Sequence, residues 1–248
     1  MWTSDQHAWR LAHSGLEARW DLARPHEGLF DCSIEGRPLP NMRLLQCRNS
    51  IAAGEPGDYL VDHYQREDDL VATYIQSPSR ANRKQLYLRP AGFLFTEPVI
   101  GVEMIFSMQT DRLDGDPSMQ IRSELPIARL HALVDPSSPR WEAVELPSDA
   151  IELPAARYCG AFAMELAGSS TIYAQILDPS DFVGGRLIKL SEDAGDYALS
   201  LPVFGACLEK GVIRRGRVTG LFLQGEDALP QALRFQKWYR GSPPPLAT

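Results

Sequence analysis

The apolar and polar positions along the chain alternate mostly with a period of two, and that period predicts strands. Leu16, Ala18, Trp20 and Leu22 fall on one face of a run whose other face carries Glu17, Arg19 and Asp21. Residues 29–34 and 42–47 follow as further strands, separated by the turn Glu35-Gly36-Arg37-Pro38. Residues 58–90 read as three consecutive antiparallel strands with a charged joint, Gln65-Arg66-Glu67-Asp68. The run 99–108 is apolar on both faces except at Glu103, as befits a central strand. Strands are expected again at 120–125, 128–134, 161–166, 171–177, 186–190, 197–204 and 212–223, and the Pro- and Ser-rich stretches 135–140 and 147–154, with 141–146 between them, read as a long crossing connection. Only 227–239 departs from period two. Ala228, Ala232, Phe235 and Tyr239 recur at helical spacing, with Asp227 placed to cap the start and prolines beyond the end.

These elements predict an all-β protein: a large antiparallel β-sandwich, of supersandwich size if all strands join, with one C-terminal α-helix. Residues 1–15 read as an N-terminal arm, 16–224 as a single β domain, and 225–248 as a helix and Pro-rich tail packed on it. At 248 residues one all-β domain is an ordinary size. The 19 prolines and 19 glycines are spread through the chain, which suits many turns.

The net charge of −7 and the dispersed Lys and Arg argue against a nucleic-acid partner. No run approaches the roughly 20 apolar residues of a membrane helix, and the N-terminus has no apolar signal core. A cytoplasmic location with no membrane partner is therefore the expectation. Cys32, Cys47, Cys159 and Cys207 form no Cys-x-x-Cys pair and are expected as buried reduced thiols. No phosphate loop, dinucleotide fingerprint, zinc-protease or serine-hydrolase motif occurs, so neither a cofactor nor a metal is expected.

Period-two alternation puts Tyr59, Val61 and His63 on one face of their strand. In the third strand Leu86 and Leu88 point one way, and Gln85, Tyr87 and Arg89 the other. Tyr59, His63, Tyr87 and Arg89 thus form the candidate ligand site. Rings that cover apolar sugar faces, beside groups that bond hydroxyls, suit a carbohydrate. His63 is the candidate acid–base residue, with Glu103, Glu124 or Glu165 as its unassigned partner. Arg215 and Arg217 share a strand face and either hold an anion or form a solvated outer row. Asp111–Asp116 resembles part of a calcium loop without its closing Glu.

The segments 58–59, 66–74, 85–87 and 208–215 resemble a bacterial protein family, and that resemblance carries no activity with it. The serial strands and the aromatic, His and Arg face are similar to galactose-mutarotase-like β-supersandwich proteins. This similarity implies sugar binding on a concave sheet, and in catalytic members a Glu base with a His acid, but no motif matches residue by residue. Carbohydrate binding with an aldose-epimerase-like variant is the leading expectation. A non-catalytic interaction or assembly module is the alternative, and the sequence does not fix an oligomeric state.

Overall fold

The computed structural model describes residues 1–5, 8–49, 59–75, 82–91, 99–111, 113, 119–135, 138–191, 195–205 and 207–242. In chain order the strands are β1 (Trp2–Asp5), β2 (Ala8–His13), β3 (Leu16–Trp20), β4 (Leu29–Ile34), β5 (Arg37–Pro38) and β6 (Arg43–Asn49). Next come β7 (Tyr59–Arg66), β8 (Asp69–Ile75), β9 (Asn82–Pro90), β10 (Ile100–Thr110), β11 (Met119–Val134) and β12 (Arg140–Val144). The last are β13 (Ala150–Leu153), β14 (Tyr158–Leu166), β15 (Thr171–Leu177), β16 (Gly185–Lys189), β17 (Asp196–Val203) and β18 (Ile213–Gln224), followed by helix α1 (Ala228–Gly241).

The strands join in three connected sheets, all antiparallel. The first is β1-β2-β3-β4, with β5 and β6 beside β4. The residues read as an arm are therefore the first two strands of a sheet. The second is β6-β11-β17-β16-β13. The third and largest is β12-β11-β14-β15-β18-β10-β9-β8-β7.

One strand, β11, belongs to both larger sheets. It pairs with β6 and β17 up to Pro126, then with β12 and β14 from Ile127 onward. The sequence reads this segment as two strands because of Pro126. The proline sits where the strand changes partners, so its missing N–H interrupts no continuous ladder.

The main core lies between the inner face of the third sheet and the other two. Leu86, Leu88, Met104, Phe106 and Tyr173 from the third sheet join Trp20, Leu44, Ile121 and Leu199 there. Polar ties cross this core: Trp2 Nε1 donates to the Leu88 carbonyl at 3.2 Å, and Ser123 Oγ bonds Gln175 Oε1 at 2.6 Å. A smaller apolar layer covers part of the outer face. There α1 lays Ala228, Ala232, Phe235 and Tyr239 on Ala161, Ala163, Ala174, Ile176 and Leu221. The alanines beneath the helix let it sit close to the strands. Asp227 occupies the helix cap, but its side chain makes no capping bond.

Cys32, Cys47 and Cys159 are buried free thiols, whereas Cys207 is exposed, so the expectation of four buried thiols fails at the fourth. Cys207 sits in the loop between β17 and β18, outside any sheet that could cover it.

Candidate functional site

Away from α1 the third sheet runs through β7 to β10 and the start of β18. There Tyr59, Tyr64, Arg83 and Arg215 are exposed, Val71, Thr73 and Ile105 are buried, and Arg217 lies under the helix end. The registers of these strands align outward-facing residues into rows that cross the strands. One row is Tyr59, Ile75, Arg83, Gln109 and Ile213. The next is Asp62, Thr73, Gln85, Ser107 and Arg215, and the third is Tyr64, Val71, Tyr87, Ile105 and Arg217. The fourth is Arg66, Asp69, Arg89, Glu103 and Thr219. With neighbouring strands about 4.8 Å apart, five strands make a face about 19 Å across.

This lattice separates the four residues expected to share a face. Tyr59, Tyr87 and Arg89 are on the outer face, and His63 is not. A bulge at Val61 opposes two residues of β7 to one of β8, so Leu60 pairs with Tyr74 and Asp62 with Thr73. The extra residue inverts the alternation beyond it. Tyr64 and Asp62 thereby join the outer face. His63 pairs with Ala72 on the inner side, its ring edge-on to Trp9 with centroids 6.2 Å apart.

None of the three glutamates meets His63 in a hydrogen bond or ion pair among the described contacts. Glu124 pairs with Arg122 at 2.8 Å and Arg48 at 3.3 Å. Glu165 meets His131 Nε2 at 2.8 Å and Arg129 at 3.4 Å. Glu103 is on the outer face, 3.9 Å from Arg217. Burial raises its carboxyl above the ordinary range, while Arg217 and Arg89 pull it down.

At the centre of the face, Tyr87 Oη donates to Gln85 Oε1 at 2.7 Å, and Gln85 Nε2 donates to Thr73 Oγ1 at 3.0 Å. Burial raises the Tyr87 phenol, with neighbouring Tyr64 adding to it and Arg215 and Arg66 opposing. Arg89 grips Asp69 in a two-pronged pair at 2.7 and 2.6 Å, and that bond is the main reason its pKa rises. Gln85, Tyr87, Ser107, Gln109 and Arg215 wall a groove of about 140 Å³, with Arg83 at one end and Ile105 and Ile213 as its apolar part.

Arg215 and Arg217, expected as a matched pair, have different fates. Arg215 is exposed beside the groove. Arg217 is 2% exposed, and its guanidinium stacks 3.8 Å from the Tyr239 ring centre. It donates to the carbonyls of Tyr239 and Ser242 and lies 3.8 Å from Asp178. Nearby Asp181 has its carboxyl pushed up to about 6, mainly by burial and then by Asp178.

A larger cavity of about 640 Å³ opens elsewhere, near the β12 and β14 ends, where Glu142 ties Arg140 and Arg157 together at 2.8 and 3.1 Å. Among the described residues no three His, Cys, Asp or Glu side chains gather to hold a metal. The calcium-like turn falls largely outside the described residues. No helix among the described residues is long and apolar enough to cross a membrane.

Ser107, Gln109 and the Gln85–Arg215 alignment are what sequence reasoning missed. Reading 99–108 as apolar on both faces except at Glu103 hid the outward polar end of β10. The signal available was the alternation Glu103, Ile105, Ser107, Gln109.

No protein-family model and no curated protein sequence matches the chain. Solved structures do match in fold. An α-N-acetylgalactosaminidase from Bifidobacterium bifidum, bound to GalNAc, superposes with a TM-score of 0.60 at 12% identity, over 94% of this chain and 39% of that one. A TPR-domain-containing protein from Parabacteroides distasonis gives 0.59 at 8% identity, over 97% and 49%. A provisionally assigned mutarotase from Salmonella typhimurium gives 0.55 at 8% identity, over 90% and 93%. The chain thus spans less than half of the glycosidase and of the TPR protein, and nearly all of the mutarotase-like one. The fold is similar to that of mutarotase-like proteins.

Proposed function

We propose that the chain binds carbohydrate on the open outer face of its largest sheet, in the groove walled by Gln85, Tyr87, Ser107, Gln109 and Arg215. One observation carries the reading: neutral amides, hydroxyls and a guanidinium converge beside an aromatic ring and two isoleucines. A pyranose needs both, since its hydroxyls seek directional partners and its C–H faces seek apolar contact. Tyr59 and Arg89 flank the groove on the same face. His63 stands on the inner face, and among the described residues none of Glu103, Glu124 and Glu165 pairs with it, so the epimerase variant gains no support from its position. The sugar-acting neighbours add only an analogy at the level of fold.

Calorimetric titration of the full chain with a saccharide panel tests this. A responsive sugar should lose about tenfold in affinity, roughly 1.4 kcal/mol, in Gln85→Ala and in Tyr87→Ala. His63→Ala should bind as the unaltered chain does. Equal binding by all three variants would refute the assignment. The second reading is a docking module, favoured by β7. That strand has β8 as its sole neighbour among the described residues and carries exposed Tyr59, Val61 and Tyr64. Concentration-dependent association in sedimentation, without any sugar response, would favour that reading.

A further inference from the structure

The residue pattern of β7 fits a second copy of the same strand. We propose that the chain self-associates through this edge, Asp62–Arg66 of one copy running antiparallel to Asp62–Arg66 of the other about a two-fold axis at Tyr64. Such pairing is independent of the carbohydrate reading and gives the docking module of the second reading one occupant.

Among the described residues β7 pairs with β8 and with no other strand. An edge strand turns the N–H and C=O of every second residue away from its neighbour, where another strand can take them. β8 is buried from Leu70 to Tyr74, whereas β7 is exposed at every residue from Val61 to Arg66. The strand thus overhangs the core on both faces. Tyr64, near its middle, is 42% exposed, and a partner strand would take much of that ring out of water. Beyond the bulge at Val61 the run Asp62–Arg66 is regular, with Asp62, Tyr64 and Arg66 on the outer face and His63 and Gln65 on the inner.

Two antiparallel edges related by a two-fold have its axis perpendicular to the sheet, so residues on the same face oppose each other. Charge then separates the registers. Centred on Asp62, each carboxylate meets its own copy, and centred on Arg66, each guanidinium does. Centred on His63 or Gln65, Asp62 or Arg66 is set against Tyr64 and neither ion pair forms. Centred on Tyr64, Asp62 opposes the partner's Arg66 and Arg66 opposes the partner's Asp62, with the two tyrosines between them. The segment is complementary to itself read backwards: acid, ring, base. On the inner face of that register His63 opposes the partner's Gln65. So short a ladder buries little area, so the dimer is weak and concentration-dependent, held by main-chain bonds and selected by charge.

Sedimentation equilibrium of the full chain over a concentration series tests this, with no saccharide present. The parent should show a monomer–dimer equilibrium that weakens as NaCl rises. Asp62→Arg and Arg66→Asp each set like charges against each other at both pairs and should each cost about tenfold in dimer affinity. The double variant Asp62→Arg/Arg66→Asp should return to within about twofold of the parent. An equimolar mixture of the two single variants should also associate, because the arginines of one then meet the aspartates of the other. Where a swap lowers the melting temperature, Asp62→Asn and Arg66→Gln remove one charge, add none, and should each still weaken association about threefold. A parent that stays monomeric throughout would overturn the proposal, as would a dimer indifferent to every variant. Single variants that weaken, with no recovery in the double variant or the mixture, would overturn this register. Each of these failures leaves the carbohydrate reading standing, since calorimetry with sugars tests that separately.

Discussion

Arg217 is the residue whose loss should cost the most outside the apolar core. It is buried, yet it is surrounded by groups that need it. Its guanidinium satisfies the carbonyls of Tyr239 and Ser242, covers the Tyr239 ring, and faces Glu103 and Asp178. Arg217→Met keeps much of the volume and removes the charge. Two carbonyls at the end of α1 then lose their donor, and two partly buried carboxylates lose their counter-charge. Removing one partner of a buried ion pair costs about 3–5 kcal/mol. For a chain of this size about 1 kcal/mol moves the melting temperature by roughly 2–4 °C, so the drop should be about 6–20 °C. Part of the loss should return at pH 4, because unpaired Glu103, whose carboxyl burial already raises, escapes the penalty by taking up a proton. Thermal and urea unfolding at pH 7.5 and pH 4 measure both effects. A loss under about 1 kcal/mol at pH 7.5 would refute the view that this guanidinium holds the helix end to the sheet.

Two further outcomes follow from the same region. Asp181 has a folded pKa raised from 3.8 to about 6, so its contribution to stability is full below pH 3.8 and is lost as pH rises through 6. Asp181→Asn keeps an acceptor for the Arg217 backbone N–H. Urea midpoints taken from pH 4 to pH 7.5 should show it more stable than the parent at the upper end, with a flatter profile between. Beneath α1, Ala163 is fully buried against the helix. Ala163→Leu should overpack that layer and cost about 1–3 kcal/mol in chemical denaturation. A neutral result would mean that the helix rides loosely on the sheet.

Much of the architecture is legible in the sequence because period-two alternation survives wherever a strand has one buried face. The expected limits for β4 and β15 match the structure, and the Ala228, Ala232, Phe235, Tyr239 stripe is the buried face of α1. Where alternation is short or partners change, the reading fails. Two-residue β5 and four-residue β13 are too brief to signal, and β11 reads as two strands because Pro126 interrupts its run. The site is less legible for a different reason. A single inserted residue at Val61 moves His63 to one side and Tyr64 to the other, and nothing in the local composition marks a bulge. Arg217 reads like its neighbour Arg215, because what buries it is Tyr239 and Ser242, 22 and 25 residues away. The rows that join Gln85 to Arg215 depend on registers among three strands, which no single stretch encodes.

The central claim is that a sugar is held on the open outer face of the largest sheet. Amide chemical-shift mapping of the full chain during saccharide titration tests it most directly. The changes should concentrate in Arg83–Arg89, Ile105–Gln109 and Ile213–Arg217. Changes clustered instead around Arg140, Arg157 and Tyr158, at the larger cavity, would contradict the claim.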